Sequence, residues 1–462
     1  MLKKILSFYK ISAPSEPYQG DEQSQQKHYN RLRWSSFLSG TIGYSLYYVC
    51  RTSLNVVKKP IMDSGILDAH QLGIIGSALL FSYAIGKFVN SFMADHSNIK
   101  RFMATGLIVS AIANISIGIL GITHSGILPI SSFLFFVLFA VMWGVNGWSQ
   151  SMGAAPAIIA LSRWFPLKER GTFYGFFSAS HNLGEFLSFI FVGTVVSIVG
   201  WQWGFVSSSF AGILGVVVIV LFLHDTPESK GLPPAEILFK EIKETGRTEK
   251  KSISKTQLSV LSNPYVWILA LSSSFMYVSR YAINSWGVLF LQESKGFSLT
   301  TATGIISINA LLGVIGTVFS GWFSDKLFNG KRNMMALIFG VLNTISLCLF
   351  IYGGNSMFIN ILSMVLFGLA MGILICFLGG LMAVDIVPRN ASGAALGIVG
   401  IFSYMGAGIQ DILSGYLIES NKVTVNGVVV YSFDKAALCW IGASVLSFVL
   451  ALFVWKAKRE ES

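Results

Sequence analysis

Long apolar runs recur along almost the whole of this 462-residue chain, and they limit its possible folds more than any other feature. A helix needs about 20 mainly apolar residues to cross the hydrocarbon core of a bilayer. Because lipid cannot satisfy backbone N–H and C=O groups, each such run must form a helix. The sequence therefore predicts an all-α membrane protein with 12 transmembrane helices, near residues 35–57, 71–93, 102–121, 130–163, 170–198, 204–223, 264–292, 299–323, 333–352, 357–386, 391–418 and 435–456.

The composition argues against several other classes of protein. Only 12% of the residues are charged and 53% are hydrophobic, whereas a soluble chain carries about 25% charged residues. The four cysteines lie in apolar runs without CxxC spacing, which argues against a metal site and a disulfide framework. We expect no cofactor, and no enzyme, because no nucleophile–base set stands out. The amino-terminal residues up to Arg33 are mostly polar, so we expect no cleavable signal peptide.

The distribution of positive charge predicts the orientation. The net charge is +11, and most of the 33 lysine and arginine residues lie in the amino tail, the even-numbered loops, the central linker and the carboxyl tail. Cytoplasmic loops of membrane proteins carry such an excess, so both termini are predicted to be cytoplasmic and no nucleic acid is expected as a partner. The opposite loops contain only five of these residues, namely Lys58, Lys59, Lys295, Lys422 and Lys435.

A polar, proline-containing linker divides the chain into two halves. We predict a cytoplasmic tail over residues 1–33, a six-helix bundle over 34–223, a cytoplasmic linker over 224–262, a second bundle over 263–456 and a short tail over 457–462.

Internal repeats relate the two halves. The loop after the second span of each half contains an aspartate and a Lys-Arg pair, and a proline with two glycines recurs near the fifth and eleventh spans. The matching positions are Asp95 and Arg101 with Asp325 and Arg332, and Pro166, Gly171 and Gly175 with Pro388, Gly393 and Gly397. Parallel repeats of six helices are expected of the major facilitator fold, in which substrates bind at the midplane between the halves. The four charged residues are candidates for gating loops.

Arg51 is the first candidate for a binding residue. It lies in the first apolar run, on one helix face with Tyr44 and Tyr48 at i, i+4 and i+7 spacing. Two phenolic hydroxyls and a five-donor guanidinium suit a phosphate group. Alternatively, Arg51 snorkels to the surface from the last helical turn.

Arg280 strengthens the phosphate interpretation. It occupies a matching position in the seventh span, too deep to snorkel easily, with Asn284 one turn further on. Two arginines that approach one cavity from opposite halves would repel each other without a ligand and would be stabilised together by a shared anion. We therefore expect the empty carrier to change conformation slowly.

Other polar residues in the spans have more than one interpretation. Lys87, four residues after Tyr83, either attracts a dianion or pairs with a carboxylate. His181 is a candidate for substrate contact. Its neighbour Glu185 either carries a proton, orients the histidine or makes a structural hydrogen bond.

Tyr404 and Asp411 share a face of the eleventh span, with Gln410 beside them. A buried aspartate would repel phosphate. Asp411 and Gln410 are therefore expected to accept hydrogen bonds from the hydroxyls of the organic part, or else to join helices by hydrogen bonds.

Seven motifs resemble those of the organophosphate:phosphate antiporters of the major facilitator superfamily. That family includes bacterial glycerol-3-phosphate and hexose-phosphate transporters, a hexose-phosphate sensor and the endoplasmic-reticulum glucose-6-phosphate transporter. The resemblance runs from about Arg33 to the twelfth span. Its motifs are Tyr47-Tyr48-Val49-Cys50-Arg51, Tyr83-Ala84-Ile85-Gly86-Lys87, Lys168-Glu169-Arg170-Gly171, His181-Asn182-Leu183-Gly184, Asp225-Thr226-Pro227-Glu228-Ser229-Lys230-Gly231-Leu232-Pro233-Pro234, Arg280-Tyr281 with Trp286, and Phe402-Ser403-Tyr404-Met405-Gly406.

The resemblance implies roles for individual residues. Arg51 and Arg280 would bind the phosphate with His181, Lys87 would line the pathway, and the cavity would be lined by Tyr44, Tyr48, Tyr83 and Tyr404. Two positions depart from the family pattern. Thr52 stands where many members have lysine, and Glu185 stands where a glycine is usual, so both make the cavity less positive.

The resemblance implies a transporter that exchanges a sugar phosphate, with glucose 6-phosphate as the expected ester, for inorganic phosphate by a rocking movement of the halves. The alternatives are a membrane sensor of external hexose phosphate that acts through a kinase partner, and a glycerol-3-phosphate:phosphate antiporter. A proton-coupled symporter of a neutral compound is disfavoured by the two arginines. We expect a monomer in a bacterial cytoplasmic membrane, with an organelle membrane as the other possibility.

Overall fold

The computed structural model describes residues 7–126, 131–239, 260–328, 332–388, 391–425 and 428–455. These ranges contain twelve long helices: α1 (Glu22–Asp63), α2 (Ala69–Asp95), α3 (Ile99–Gly126), α4 (Ser132–Trp164), α5 (Leu167–Val199), α6 (Trp201–Phe222), α7 (Pro264–Lys295), α8 (Leu299–Phe328), α9 (Arg332–Tyr352), α10 (Met357–Asp385), α11 (Ser392–Ser420) and α12 (Asp434–Phe453). A two-stranded antiparallel hairpin, β1 (Val423–Val425) with β2 (Val428–Val430), lies between α11 and α12. Residues 240–259 of the predicted linker lie outside the described ranges.

Eleven helices of the described part are long and apolar enough to cross a membrane. The exception is α1, the longest helix. Its first turns are polar, and its predicted span contains several serines and tyrosines as well as Arg51. The nearly all-helical architecture confirms the predicted fold class, and α1 supplies the twelfth long helix.

Two helices contain a turn that departs from regular α geometry. A π-helical turn spans Ala282–Trp286 within α7, and another spans Phe377–Leu381 within α10. Such turns insert an extra residue into the helix and are frequent at functional sites. The first of them begins two residues after Arg280, so it alters which side chains of α7 point towards the other half.

The halves meet through α2 against α11 and α5 against α8. We call the end of the protein where α1 begins and α12 ends the tail side, and the end where α1 reaches Asp63 the far side. Close contacts between the halves lie towards the far side. There a Cβ atom added at Gly73 would collide with the Asp411 backbone, and one added at Gly193 would collide with Thr303.

On the tail side the halves are further apart. The four glycines of the internal repeat, Gly171, Gly175, Gly393 and Gly397, all face open space, since a Cβ atom added at any of them would meet no atom within 4 Å. The protein is therefore closed at the far side and open at the tail side.

The start of the linker ties together three segments of the tail side. The Asp225 carboxylate accepts hydrogen bonds from the Arg163 guanidinium of α4 (2.5 Å), from the Ile99 backbone N–H at the start of α3 (3.1 Å) and from the Ser12 N–H of the amino tail (2.8 Å). This arrangement explains why the linker motif begins with an aspartate, since only a carboxylate accepts several hydrogen bonds while pairing with arginine.

Candidate functional site

Arg51 is buried between the halves and does not snorkel. Only 5% of the residue is exposed, and one guanidinium nitrogen donates a 2.8 Å hydrogen bond to the Tyr281 hydroxyl of α7. The guanidinium carbon also lies 4.2 Å from the ring centre of Tyr83, 5.3 Å from that of Tyr48 and 5.4 Å from that of Tyr404. Aromatic faces attract cations, but these neighbours carry no formal negative charge.

Arg280 has a carboxylate partner from the other half. Its guanidinium lies 3.5 Å from Glu185 Oε2 of α5, and the Asn284 side-chain amide donates a 2.7 Å hydrogen bond to Glu185 Oε1. Glu185 and Arg280 are 4% and 5% exposed, respectively. The sequence-based expectation that both arginines lack an anion in the empty site is therefore wrong for Arg280. The structure favours a bond between helices over a bond to His181 as the role of Glu185.

The side chains of four tyrosines predicted to line the cavity are brought together. Tyr83 and Tyr404 pack across the halves with ring centres 4.5 Å apart, and Tyr44 packs against Tyr48 at 5.5 Å. Sequence reasoning missed two further tyrosines of α7, Tyr277 and Tyr281, which stack on each other and contact Tyr404. Their i, i+4 spacing beside Arg280 mirrors that of Tyr44 and Tyr48 beside Arg51, and this signal could have identified them.

His181 lies at the edge of this group, with its ring centre 5.8 Å from that of Tyr48. Its Nε2 atom is buried and has no hydrogen-bond partner among the described residues. An unsatisfied buried polar atom is costly unless a ligand or water completes it. His181 therefore remains available to bind a ligand.

Asp411 makes hydrogen bonds between helices, which agrees with the second of the two roles expected for it. Its Oδ1 atom accepts 2.6 Å hydrogen bonds from the Ser285 hydroxyl and the Trp286 indole, and it lies 3.5 Å from the Lys58 ammonium. The prediction that Lys58 lies in a loop is wrong. Helix α1 continues past Val57, and Lys58 is completely buried.

Lys87 and Gln410 occupy different surroundings. Lys87 is exposed, with its ammonium 5.6 Å from the centre of the Tyr404 ring, and it forms no ion pair with any described carboxylate. It lies on the open side of the tyrosine cluster. The Gln410 amide donates to the Ser414 hydroxyl at 2.8 Å, while its oxygen has no partner in the described part of the chain.

The predicted gating residues do not bridge the halves in this conformation. Asp95 is exposed. Arg101 donates to a backbone carbonyl of the amino tail at 2.7 Å, and Arg332 pairs with Asp385 of its own half at 2.9 Å. The side chain of Asp325 lies outside the described part.

A small cavity of about 20 Å³ lies between the halves, room for a single water molecule. Any larger ligand requires the enclosing side chains to move. The cavity is lined by Tyr48, Arg51, Thr52, Asn55, Gly76, Leu79, Leu80, Trp143, Glu185, Tyr281, Ser285 and Asp411.

Comparison with known proteins identifies a family and several relatives of this chain. Residues 40–410 match the model of the Major Facilitator Superfamily. A probable hexose phosphate transport protein of Chlamydia trachomatis is 32% identical over 95% of this chain and 94% of its own length. A membrane sensor protein, UhpC, of Salmonella typhimurium is 32% identical over 88% of this chain and 90% of its own length. A glycerol-3-phosphate transporter of Bacillus subtilis is 28% identical over 96% of both chains.

Solved structures show the same fold at lower sequence identity. The crystal structure of a bacterial homolog of the human lysosomal transporter Spinster, in an inward-facing and unoccupied conformation, superposes with a TM-score of 0.69. It is 17% identical and covers 92% of this chain and 97% of that chain.

Proposed function

The chain belongs to the Major Facilitator Superfamily, in the branch of the organophosphate:phosphate antiporters, and we propose that it exchanges a sugar phosphate for inorganic phosphate across a membrane. Glucose 6-phosphate is the expected ester. Relatives described as hexose phosphate and glycerol-3-phosphate transporters support a phosphate ester as the substrate class.

The observation that carries this proposal is the meeting of Arg51 and Arg280 around Tyr281. Arg51 donates to the Tyr281 hydroxyl, and the Arg280 guanidinium lies 5.8 Å from the centre of the same ring. Guanidinium groups bind phosphate oxygens through paired, charge-assisted hydrogen bonds. A phosphate that replaces the tyrosine hydroxyl would therefore be held by both halves at once.

Exchange follows from recognition of the shared phosphate group. Inorganic phosphate and a phosphate ester both present oxygens to the arginines, so each is a ligand for the same site. A ligand favours movement only by binding more strongly to the state it promotes. A phosphate held by both arginines meets this condition in the state in which the halves close around it.

The distribution of positive charge decides which side of the protein is assigned to the cytoplasm. With the tail side assigned to the cytoplasm, the described conformation faces inward. A phosphate ester would then enter from the cytoplasm past the exposed Lys87 and the tyrosine cluster. Closure of the tail side would bring the repeat glycines of α5 and α11 towards the opposite half, where small residues allow close packing.

The experiment is uptake of labelled phosphate into proteoliposomes that contain the purified protein. The vesicles are preloaded with phosphate, glucose 6-phosphate or glycerol 3-phosphate. We expect uptake that is accelerated by the internal ligand and is greater with glucose 6-phosphate than with glycerol 3-phosphate. Arg51→Lys and Arg280→Lys should abolish it because lysine cannot form the two-pronged contact. Arg33→Lys is the matched control, since Arg33 pairs with Glu169 within one half.

A sensor is the second candidate, and it is favoured by the similarity to a membrane sensor protein. Binding of glucose 6-phosphate without any flux in the same vesicles would support this candidate and contradict the proposed transport.

A further inference from the structure

We propose that Glu185 takes the place of the substrate phosphate on Arg280 in the empty carrier, and that the protein therefore carries out net transport of phosphate compounds in addition to exchange. This inference rests on the proposed function and concerns the same site. Net transport requires the carrier to return empty, which a strict exchanger does not do.

The contacts of Glu185 resemble those expected of a bound anion. The carboxylate comes from α5 of the first half, and it is held by Arg280 and Asn284, both from α7 of the second half. All three residues are buried. A buried arginine without a negative partner is strongly destabilising, and Glu185 removes that destabilisation without a ligand.

Arg51 supplies the contrast within the same site. Its hydrogen-bond partner is a neutral phenol, and its guanidinium carbon lies 4.2 Å from the centre of the Tyr83 ring. The two arginines therefore differ when the site is empty, since among the described residues only Arg280 has a carboxylate within ion-pair distance. Glu185 places one full negative charge beside Arg280, which weakens the repulsion expected between the two arginines.

The position of the Glu185–Arg280 pair along its helices determines how it affects the conformational change of the empty carrier. Glu185 lies near the middle of Leu167–Val199, and Arg280 lies near the middle of Pro264–Lys295. When two halves rock about a central site, contacts near the middle change least. By contrast, Lys59 pairs with Glu293 near the far-side ends of α1 and α7, and this contact must break when the far side opens. The central pair can thus persist while the empty carrier changes conformation.

The same geometry predicts competition with substrate. A phosphate that binds Arg280 must displace the Glu185 carboxylate, and doing so also releases the Asn284 amide. The Asn284 Oδ1 atom, which has no partner among the residues described, is then available to a hydroxyl of the ester. Glu185 should accordingly weaken phosphate binding while permitting the empty return.

The test compares two fluxes in the same proteoliposomes. Net uptake of labelled phosphate is measured into vesicles that contain no phosphate compound, with the membrane potential clamped, and exchange is measured into vesicles preloaded with phosphate. We expect both fluxes in the unaltered protein. Glu185→Gln should lower the ratio of net flux to exchange flux by about 100-fold, because Arg280 is then buried without a counter-charge during the empty return. The KM for phosphate in exchange should also fall.

Glu169→Gln is the matched control, because Glu169 pairs with Arg33 on the tail side and its loss should leave the ratio unchanged. Exchange without net uptake in the unaltered protein would overturn the inference while leaving the proposed function intact. Absence of both fluxes would instead count against the proposed function. The measurement on the unaltered protein does not depend on whether Glu185→Gln folds, and Glu185→Asp, which keeps the charge, should retain net uptake. A Glu185→Gln protein with an unchanged flux ratio would also overturn the inference.

Discussion

Replacing Lys58 with methionine should open the far side of the protein. The Lys58 ammonium donates a 2.7 Å hydrogen bond to Ser285, lies 3.5 Å from Asp411 Oδ1 and lies 3.5 Å from the centre of the Trp286 ring. Lys58 belongs to the first half, and its three partners belong to the second. The ion pair between Lys58 and Asp411 therefore forms only while the far side is closed.

The magnitude follows from the burial of the pair. Lys58 is 0% exposed and Asp411 is 2% exposed. Removing one partner of a buried ion pair costs about 3–5 kcal/mol, because the other charge remains uncompensated. Asp411 would keep two neutral donors, so we take the lower end, about 3 kcal/mol. Opening of the far side lets water reach Asp411, so the cost falls on the closed state and shifts the equilibrium by roughly 100-fold.

Pulsed electron paramagnetic resonance would measure the shift directly. Spin labels at Ser64→Cys and Ser294→Cys report the separation of α1 and α7 at the far side, in a background that lacks the native cysteines. Both positions are exposed. The distance distribution should move to longer values in Lys58→Met. The double variant Lys58→Met/Asp411→Leu should restore the shorter distance, because it removes the uncompensated charge.

The neighbouring lysine provides the control. Lys59 also bridges the halves, through Glu293, but its side chain is 28% exposed. Partly exposed pairs contribute about 1 kcal/mol or less, so Lys59→Met should shift the equilibrium less than tenfold. The reasoning would be refuted by an unchanged distance in Lys58→Met, or by an equal shift in Lys59→Met.

Three further predictions concern the substrate site, the helix packing and the tail side. Tyr281→Phe removes the hydroxyl that accepts a hydrogen bond from Arg51. Phosphate should therefore bind more tightly, as measured by calorimetry on purified protein. Weaker binding would instead show that the hydroxyl contacts the ligand. Gly184→Ala would place a methyl group against the Ser45 carbonyl where α1 and α5 pack, so the thermal unfolding temperature should fall by several degrees, and an unchanged temperature would contradict this packing argument. Burial, and secondarily two nearby lysines, lower the pKa of His224 from 6.5 to about 4. The unfolded chain therefore binds a proton that the folded protein does not between these values, and stability should decline as the pH falls from 6.5 to 4. His224→Gln should reduce that decline in thermal unfolding measured at pH 7.5 and pH 5, and an equal decline in both proteins would refute the assignment.

The long helices could be predicted from sequence because their causes are local. Each apolar run must form a helix in lipid, whatever its neighbours are. The depth of Arg280 within its run already indicated a cavity, since an arginine there is unfavourable against lipid. The tyrosines at helical spacing from Arg51 could be placed on one face by the same kind of reasoning.

The partners of the buried charges could not be predicted in this way. Glu185 and Arg280 are 95 positions apart in the chain and belong to different halves. Their contact depends on how α5 and α7 are placed relative to each other, and no local pattern reports that. The π-helical turn after Arg280 adds to the difficulty, because it changes the direction of Asn284, Ser285 and Trp286 relative to a regular helix.

Lys58 shows most clearly the difference between what the sequence predicts and what tertiary packing decides. The sequence alone predicts that Lys58 lies in a loop, because a lysine at the end of an apolar run normally marks the edge of the membrane. The tertiary structure buries it because Asp411 and Ser285 arrive from the other half. The amino-acid sequence by itself determined which segments enter the membrane and that Arg51 and Arg280 lie within them, since hydrophobicity acts residue by residue. Only the tertiary structure decided which charge neutralises which, because a buried ion pair is a property of two helices packed together.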